Sequence, residues 1–81
     1  MEEKILNLIE SIIGKQLYKP FSEIEADLDL FEYGLDSIGF ISLIVALEDE
    51  YNIYIDEDDL DLDKFNSKNY IVQYILNKIE R

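Results

Sequence analysis

The chain has no cysteine and no histidine among its 81 residues, and only one proline. Without cysteine there is neither a disulfide framework nor thiolate metal ligation. Without histidine the commonest general base and the commonest transition-metal ligand are missing. No apolar run approaches the length of a membrane span. The N-terminus, Met1-Glu2-Glu3-Lys4, lacks the basic start and apolar stretch of a secretory signal, so a soluble, cytoplasmic protein is expected.

Positive charge is also scarce, and its placement is uneven. Between Pro20 and Asp63 there is no Lys or Arg, while that stretch holds 15 of the 19 acidic residues. The centre therefore carries −15 and the two ends together +3, for a net charge of −12. Such a field repels nucleic-acid phosphate and anionic membranes. It attracts basic protein surfaces and speeds encounter with them. It also serves solubility, whatever else it does.

What is present is helical. The apolar content of 48% is that of a folded protein, and 81 residues suffice for a single domain spanning 1–81. Ile5, Leu8, Ile9 and Ile12 recur at helical spacing within Glu2–Ile13, and Gly14 reads as a stop. A long connection, Lys15 to Leu35, holds Leu17, Phe21, Ile24, Leu28, Leu30, Phe31 and Leu35 as expected anchors onto a core. A loop that long in so small a domain is usually functional. Asp36 is a good N-cap, which places Ser37 at the first position of a second helix running to about Tyr51 and ending near Asn52. Ile53 and Ile55 alternate but have no partner strand, so an extended connection is expected there. Asp56 to Leu62 reads as a short third helix. Ser67 caps a last helix in which Ile71, Ile75 and Ile79 recur every four residues, with Lys78 and Arg81 suited to its C-terminal end. The expected fold is all-α: a small four-helix bundle of three main helices and one short one, with a long loop between the first two.

The second helix has more apolar surface than a core requires. At about 100° per residue, Phe40, Leu43, Ile44, Leu47 and Tyr51 share one face. Ile38, Ile41 and Val45 fall on the opposite side with Ser42, Glu48 and Asp49. This second stripe is either covered by the long loop or left open as a docking surface rimmed by acids. Ser37 lies at its head. A serine at a helix start is most often a cap, but Asp36 already fills that role. A hydroxyl at a helix N-terminus also sits where backbone N–H groups and the helix dipole favour a phosphate.

Gly34-Leu35-Asp36-Ser37-Ile38, followed by Leu43, Ala46-Leu47-Glu48 and Tyr51, resembles the phosphopantetheine attachment motif of acyl carrier and peptidyl carrier proteins. Helix order, the long first loop, the short third helix and the acidic bias extend the resemblance over the whole chain. It implies that Ser37, within the segment Gly34, Leu35, Asp36 and Ser37, takes 4′-phosphopantetheine from coenzyme A through a dedicated transferase. Asp36 would help place that transferase's magnesium ion. The arm's thiol would then hold acyl or aminoacyl cargo as a thioester. The implied partners are the transferase, a loading ligase or acyltransferase, and downstream acyl-processing enzymes. They would meet apolar Ile38, Ile41 and Val45 and the acids Glu48, Asp49 and Asp56. Many carriers of fatty-acid synthesis have acids two and five residues after the serine, where this chain has Gly39 and Ser42. Gly39, together with Phe65-Asn66-Ser67 before the last helix, resembles D-alanyl carrier proteins and stand-alone carriers of amino-acid or natural-product pathways.

Other chemistries fit the residues poorly. Asp59, Asp61 and Asp63 have the first spacings of a calcium loop, but its sixth and twelfth positions hold Lys64 and Tyr70, so no metal site is expected. A serine hydrolase needs Gly where Leu35 stands, and a base to activate Ser37. The expectation is a monomeric carrier with no catalysis of its own. The competing expectation is an acidic module that docks on basic partners without being modified.

Overall fold

The computed structural model describes residues 1–80 and is helical, with no strand among the described residues. Three α-helices carry it: α1 (Glu2–Ile13), α2 (Ser37–Tyr51) and α3 (Lys68–Ile79). Short 3-10 turns link them at Gly14–Gln16, Phe21–Glu23, Leu30–Tyr33 and Glu57–Asp59. The expected bundle and its long first connection are present.

Each helix contributes one apolar stripe to a common core. Ile5, Ile9 and Ile13 of α1 are fully buried, as are Leu43 and Leu47 of α2 and Ile71 and Ile75 of α3. The four-residue spacing keeps each set on one face. Phe65, also fully buried, has its ring 4.9 Å from Tyr74, 5.2 Å from Tyr70 and 6.3 Å from Phe40, so one aromatic group joins α2 to α3. The edge-to-face arrangement of these pairs suits the ring quadrupoles.

The connection from Lys15 to Leu35 wraps this core. Leu17, Phe21, Ile24, Leu30 and Leu35 are buried, and Phe31 packs against the cluster half-buried. Leu28 is the exception. It remains exposed, because the turn closed by Leu28 N–H on the Glu25 carbonyl leaves its side chain outside the core. Main-chain bonds dock the connection onto α3 and the residues just before it: Leu30 N–H donates to the Asn66 carbonyl at 2.7 Å, and Asn69 N–H to the Ala26 carbonyl at 3.0 Å. Lys68 adds a third tie. Its buried ammonium donates to the Phe21 carbonyl and lies 4.2 Å from the centre of the Phe21 ring. Burial holds its pKa below the ordinary lysine value, partly offset by nearby Glu10.

α1 ends at Ile13 with Gly14 as its C-cap, as expected; the φ of Gly14 is −55°, and the chain tightens into a 3-10 turn before leaving at Leu17. One expected boundary shifts. The expected short helix Asp56–Leu62 contracts to the single turn Glu57–Asp59. Adjacent carboxylates repel, and only Leu60 in this stretch reaches the core, half-buried. The turn is held from outside, by Tyr74 Oη donating to Asp59 Oδ2 at 2.7 Å. The segment at Ile53 and Ile55 is extended, as expected, with Ile55 buried. Lys78 lies in the last turn of α3, whereas Arg81 is outside the described residues.

Candidate functional site

The head of α2 is built by a chain reversal. The turn Leu30–Tyr33 ends at Gly34, whose φ of +115° is one that side-chain-bearing residues rarely adopt. Leu35 then turns inward and is buried, with its N–H donating to the Leu30 carbonyl at 3.2 Å. Asp36 is extended, and its Oδ1 accepts from Gly39 N–H at 2.7 Å. That is an N-cap hydrogen bond, and it satisfies one of the amides left open at a helix start. Ser37 follows as the first helical residue and is exposed.

The first turn of α2 contains no acidic residue, and the Asp36 carboxylate is already engaged by Gly39. A phosphate on the Ser37 hydroxyl would therefore meet the positive end of a 15-residue helix, with no carboxylate in its first turn to oppose it. The site fits a phosphodiester anion.

The second stripe of α2 is open. Ile38 is 77% exposed, Ile41 61% and Val45 50%, so the long loop does not cover them. The opposite stripe, Phe40, Leu43, Ile44 and Leu47, is buried, with Tyr51 half-buried at its end. Asp49 and Asp56 are exposed. Glu48 differs from both. It is half-buried, and its Oε2 accepts from Ile55 N–H at 2.8 Å, so it fastens the segment after α2 and has less of its charge free for a partner. Sequence spacing places Glu48 beside the open stripe but gives no sign of this bond, which joins residues seven apart across the turn at Asn52.

The site is convex. A cleft of about 390 Å³ lies elsewhere, lined by Leu6, Glu10, Phe21, Ile24, Lys68 and Val72 among others. A second, of about 240 Å³, lies at Asp59 and Tyr74. Ser37 lines neither. Among the described residues no group of three or more Asp, Glu, His or Cys is placed to hold a metal ion. No helix among them is long and apolar enough to cross a membrane. An exposed serine at a helix tip, beside open apolar surface and outside both clefts, is suited to being brought to another protein's active site.

Comparison with known proteins shows the family. Residues 4–75 match the family described as the phosphopantetheine attachment site. The chain is 35% identical over 81 residues to the D-alanyl carrier protein of Lactococcus lactis subsp. cremoris strain MG1363, covering 99% of this chain and 98% of that one. It is 32% identical over 79 residues to the acyl carrier protein of Cyanidium caldarium, covering 96% and 90%. Its fold is similar to a chain in the crystal structure of an engineered Bradyrhizobium japonicum glycine:[carrier protein] ligase complexed with carrier protein from Agrobacterium tumefaciens and ATP. That match has a TM-score of 0.74 and 25% identity, and covers 90% of this chain and 97% of that chain. The chain belongs to the phosphopantetheine-binding carrier proteins. Its prosthetic group is covalently attached 4′-phosphopantetheine, whose terminal thiol carries cargo as a thioester.

Proposed function

We propose that Ser37 is the attachment residue and that the whole chain acts as one monomeric, cytoplasmic carrier domain. The observation that carries this reading is the exposed Ser37 hydroxyl at the acid-free first turn of α2, directly after a cap that Asp36 alone fulfils. Gly34 and Leu35 set the turn, and Asp36 helps place the magnesium ion of a phosphopantetheinyl transferase. Ile38, Ile41 and Val45 make apolar contact with that transferase and with later partners. Asp49 and Asp56, and more weakly Glu48, meet basic residues on them. All bond-making belongs to the partners, and this chain supplies the mount.

An adenylating ligase is the favoured loading enzyme. The support is the likeness to D-alanyl carriers and to a chain from a complex with a carrier-protein ligase. Gly39 and Ser42, standing where many fatty-acid carriers have acids, point the same way. Exposed ion pairs contribute only about 0.2 to 1 kcal/mol each and weaken with salt, which suits a carrier that must leave every enzyme after each step.

The test is incubation with coenzyme A, magnesium and a broad-specificity phosphopantetheinyl transferase, followed by intact mass and peptide mapping. A single adduct on Ser37 is expected, and Ser37→Ala should remain at its starting mass with its helical circular dichroism intact. An unchanged mass for folded wild type would leave a docking module that is never modified. An adduct on Ser37→Ala would move the site to another residue.

A further inference from the structure

Gln16 bridges both glycines that flank the attachment turn. A Cβ built on Gly34 would lie 2.6 Å from the Gln16 carbonyl oxygen, and one built on Gly39 would lie 2.7 Å from Gln16 Cδ. The main chain of residue 16 thus occupies the space at Gly34, while its side chain lies across the first turn of α2 at Gly39. From there Gln16 Oε1 accepts from Asp36 N–H at 3.4 Å. The neighbouring Tyr18 reinforces the seam: its N–H donates to the Tyr33 carbonyl at 3.0 Å and its hydroxyl to the Glu32 carbonyl at 2.9 Å.

We infer that Gln16 is a positioning residue for the modification of Ser37, and that Gly39 is small in order to admit its carboxamide. This rests on Ser37 being the attachment residue. Asp36 is then held at both ends, its N–H by Gln16 and its carboxylate by Gly39 N–H, and the next residue is the one presented. The pair also sets what a partner meets beside Ser37. A carboxylate at position 39 cannot coexist with Gln16 in this place, so partners encounter a neutral amide there. The transferase and loading enzymes that accept this carrier should contact the spot with a neutral polar or apolar group, since a basic one finds no ion-pair partner at position 39.

The two residues should behave as one unit. The Gln16 carboxamide is the flexible end of a side chain, so Gly39→Ala displaces it without breaking the core. Alanine is also the better helix former. Gly39→Ala should therefore melt at the same temperature as wild type or higher, yet be modified more slowly. Losing one hydrogen bond's net worth lowers kcat/KM with the transferase about fivefold. Gln16→Ala should show the same loss, and the double variant no more than either single one.

The assay is initial-rate transfer from coenzyme A at a temperature where circular dichroism shows every variant folded, with the adduct mapped to Ser37. Wild-type kcat/KM in Gln16→Ala, with wild type modified at Ser37, would overturn the inference and leave the attachment assignment standing. Losses that multiply in the double variant would also overturn it, since Gly39 would then act independently of Gln16. An adduct mapped away from Ser37 in wild type would instead overturn the attachment assignment on which the inference rests.

Discussion

Asp36 has a capping role and a proposed second role, and a pair of substitutions can separate them. Its Oδ1 caps α2 through Gly39 N–H at 2.7 Å, and its charge is proposed to help hold the transferase's magnesium ion. Asp36→Ala removes both. Loss of such a cap costs about 1 kcal/mol, within a range of about 0.5 to 2. For a domain of this size, about 1 kcal/mol lowers the melting temperature by about 4 to 8 °C. Asp36→Asn keeps an oxygen in place to accept from Gly39 and caps as well as aspartate does. The lost charge forgoes about 0.3 to 1 kcal/mol with the helix dipole. It also lightens the −15 central stretch, and these effects oppose each other. Asp36→Asn should therefore melt close to wild type. Thermal circular dichroism of the three proteins would be set beside initial rates of phosphopantetheine transfer across a magnesium titration. Both variants should be modified slowly and need more magnesium, while only Asp36→Ala loses stability. A wild-type rate and magnesium dependence in Asp36→Asn would refute the role of the charge. An unchanged melting temperature in Asp36→Ala would refute the energetic worth of the cap.

Val45→Glu, at a half-exposed position, should change stability by no more than about 0.5 kcal/mol and raise KM with the transferase; a large fall in melting temperature would make Val45 a core residue. Tyr74 should confer stability that alkali removes. Burial, and then its hydrogen bond to Asp59, hold the phenol pKa above its ordinary value of 10.0, so the folded state keeps a proton that the unfolded state has lost. That contribution is complete below pH 10 and declines as pH rises toward the folded value. The gap in melting temperature between wild type and Tyr74→Phe should accordingly shrink from about pH 9 to about pH 11, and a constant gap would contradict the linkage. Added sodium chloride should raise the melting temperature of wild type, because screening relieves repulsion within residues 20–63. A flat response would show that this repulsion is small.

Much of the fold was legible because it is locally encoded. The apolar period of Glu2–Ile13, the caps Asp36 and Ser67, and the opposed stripes of α2 depend on residues within a few positions of one another. Ser67 Oγ does accept from Tyr70 N–H, at 3.3 Å. What escaped depends on distant partners. Lys68 reads as a surface lysine until the Phe21 carbonyl, 47 residues away in sequence, is seen to accept from it. Gln16 and Asp36 are 20 apart, and Tyr74 and Asp59 are 15 apart. No periodicity reports such pairs. Leu28 was overestimated for a related reason, since hydrophobicity alone does not show which way a turn faces. Within the site, the exposure of Ile38, Ile41 and Val45 needed the path of the loop, since a covered stripe and an open one are both compatible with the sequence.

Along α2 the surface changes character from one end to the other. Ser37 and its apolar neighbours stand at the head, and Asp49 lies about 18 Å further along the axis. In the proposed docking, long-range attraction would act through the tail and short-range fit through the head. Under the proposed docking, an enzyme drawn in by its basic side would meet the tail first and then bring its active site over the serine. On this picture salt delays arrival far more than it hastens departure.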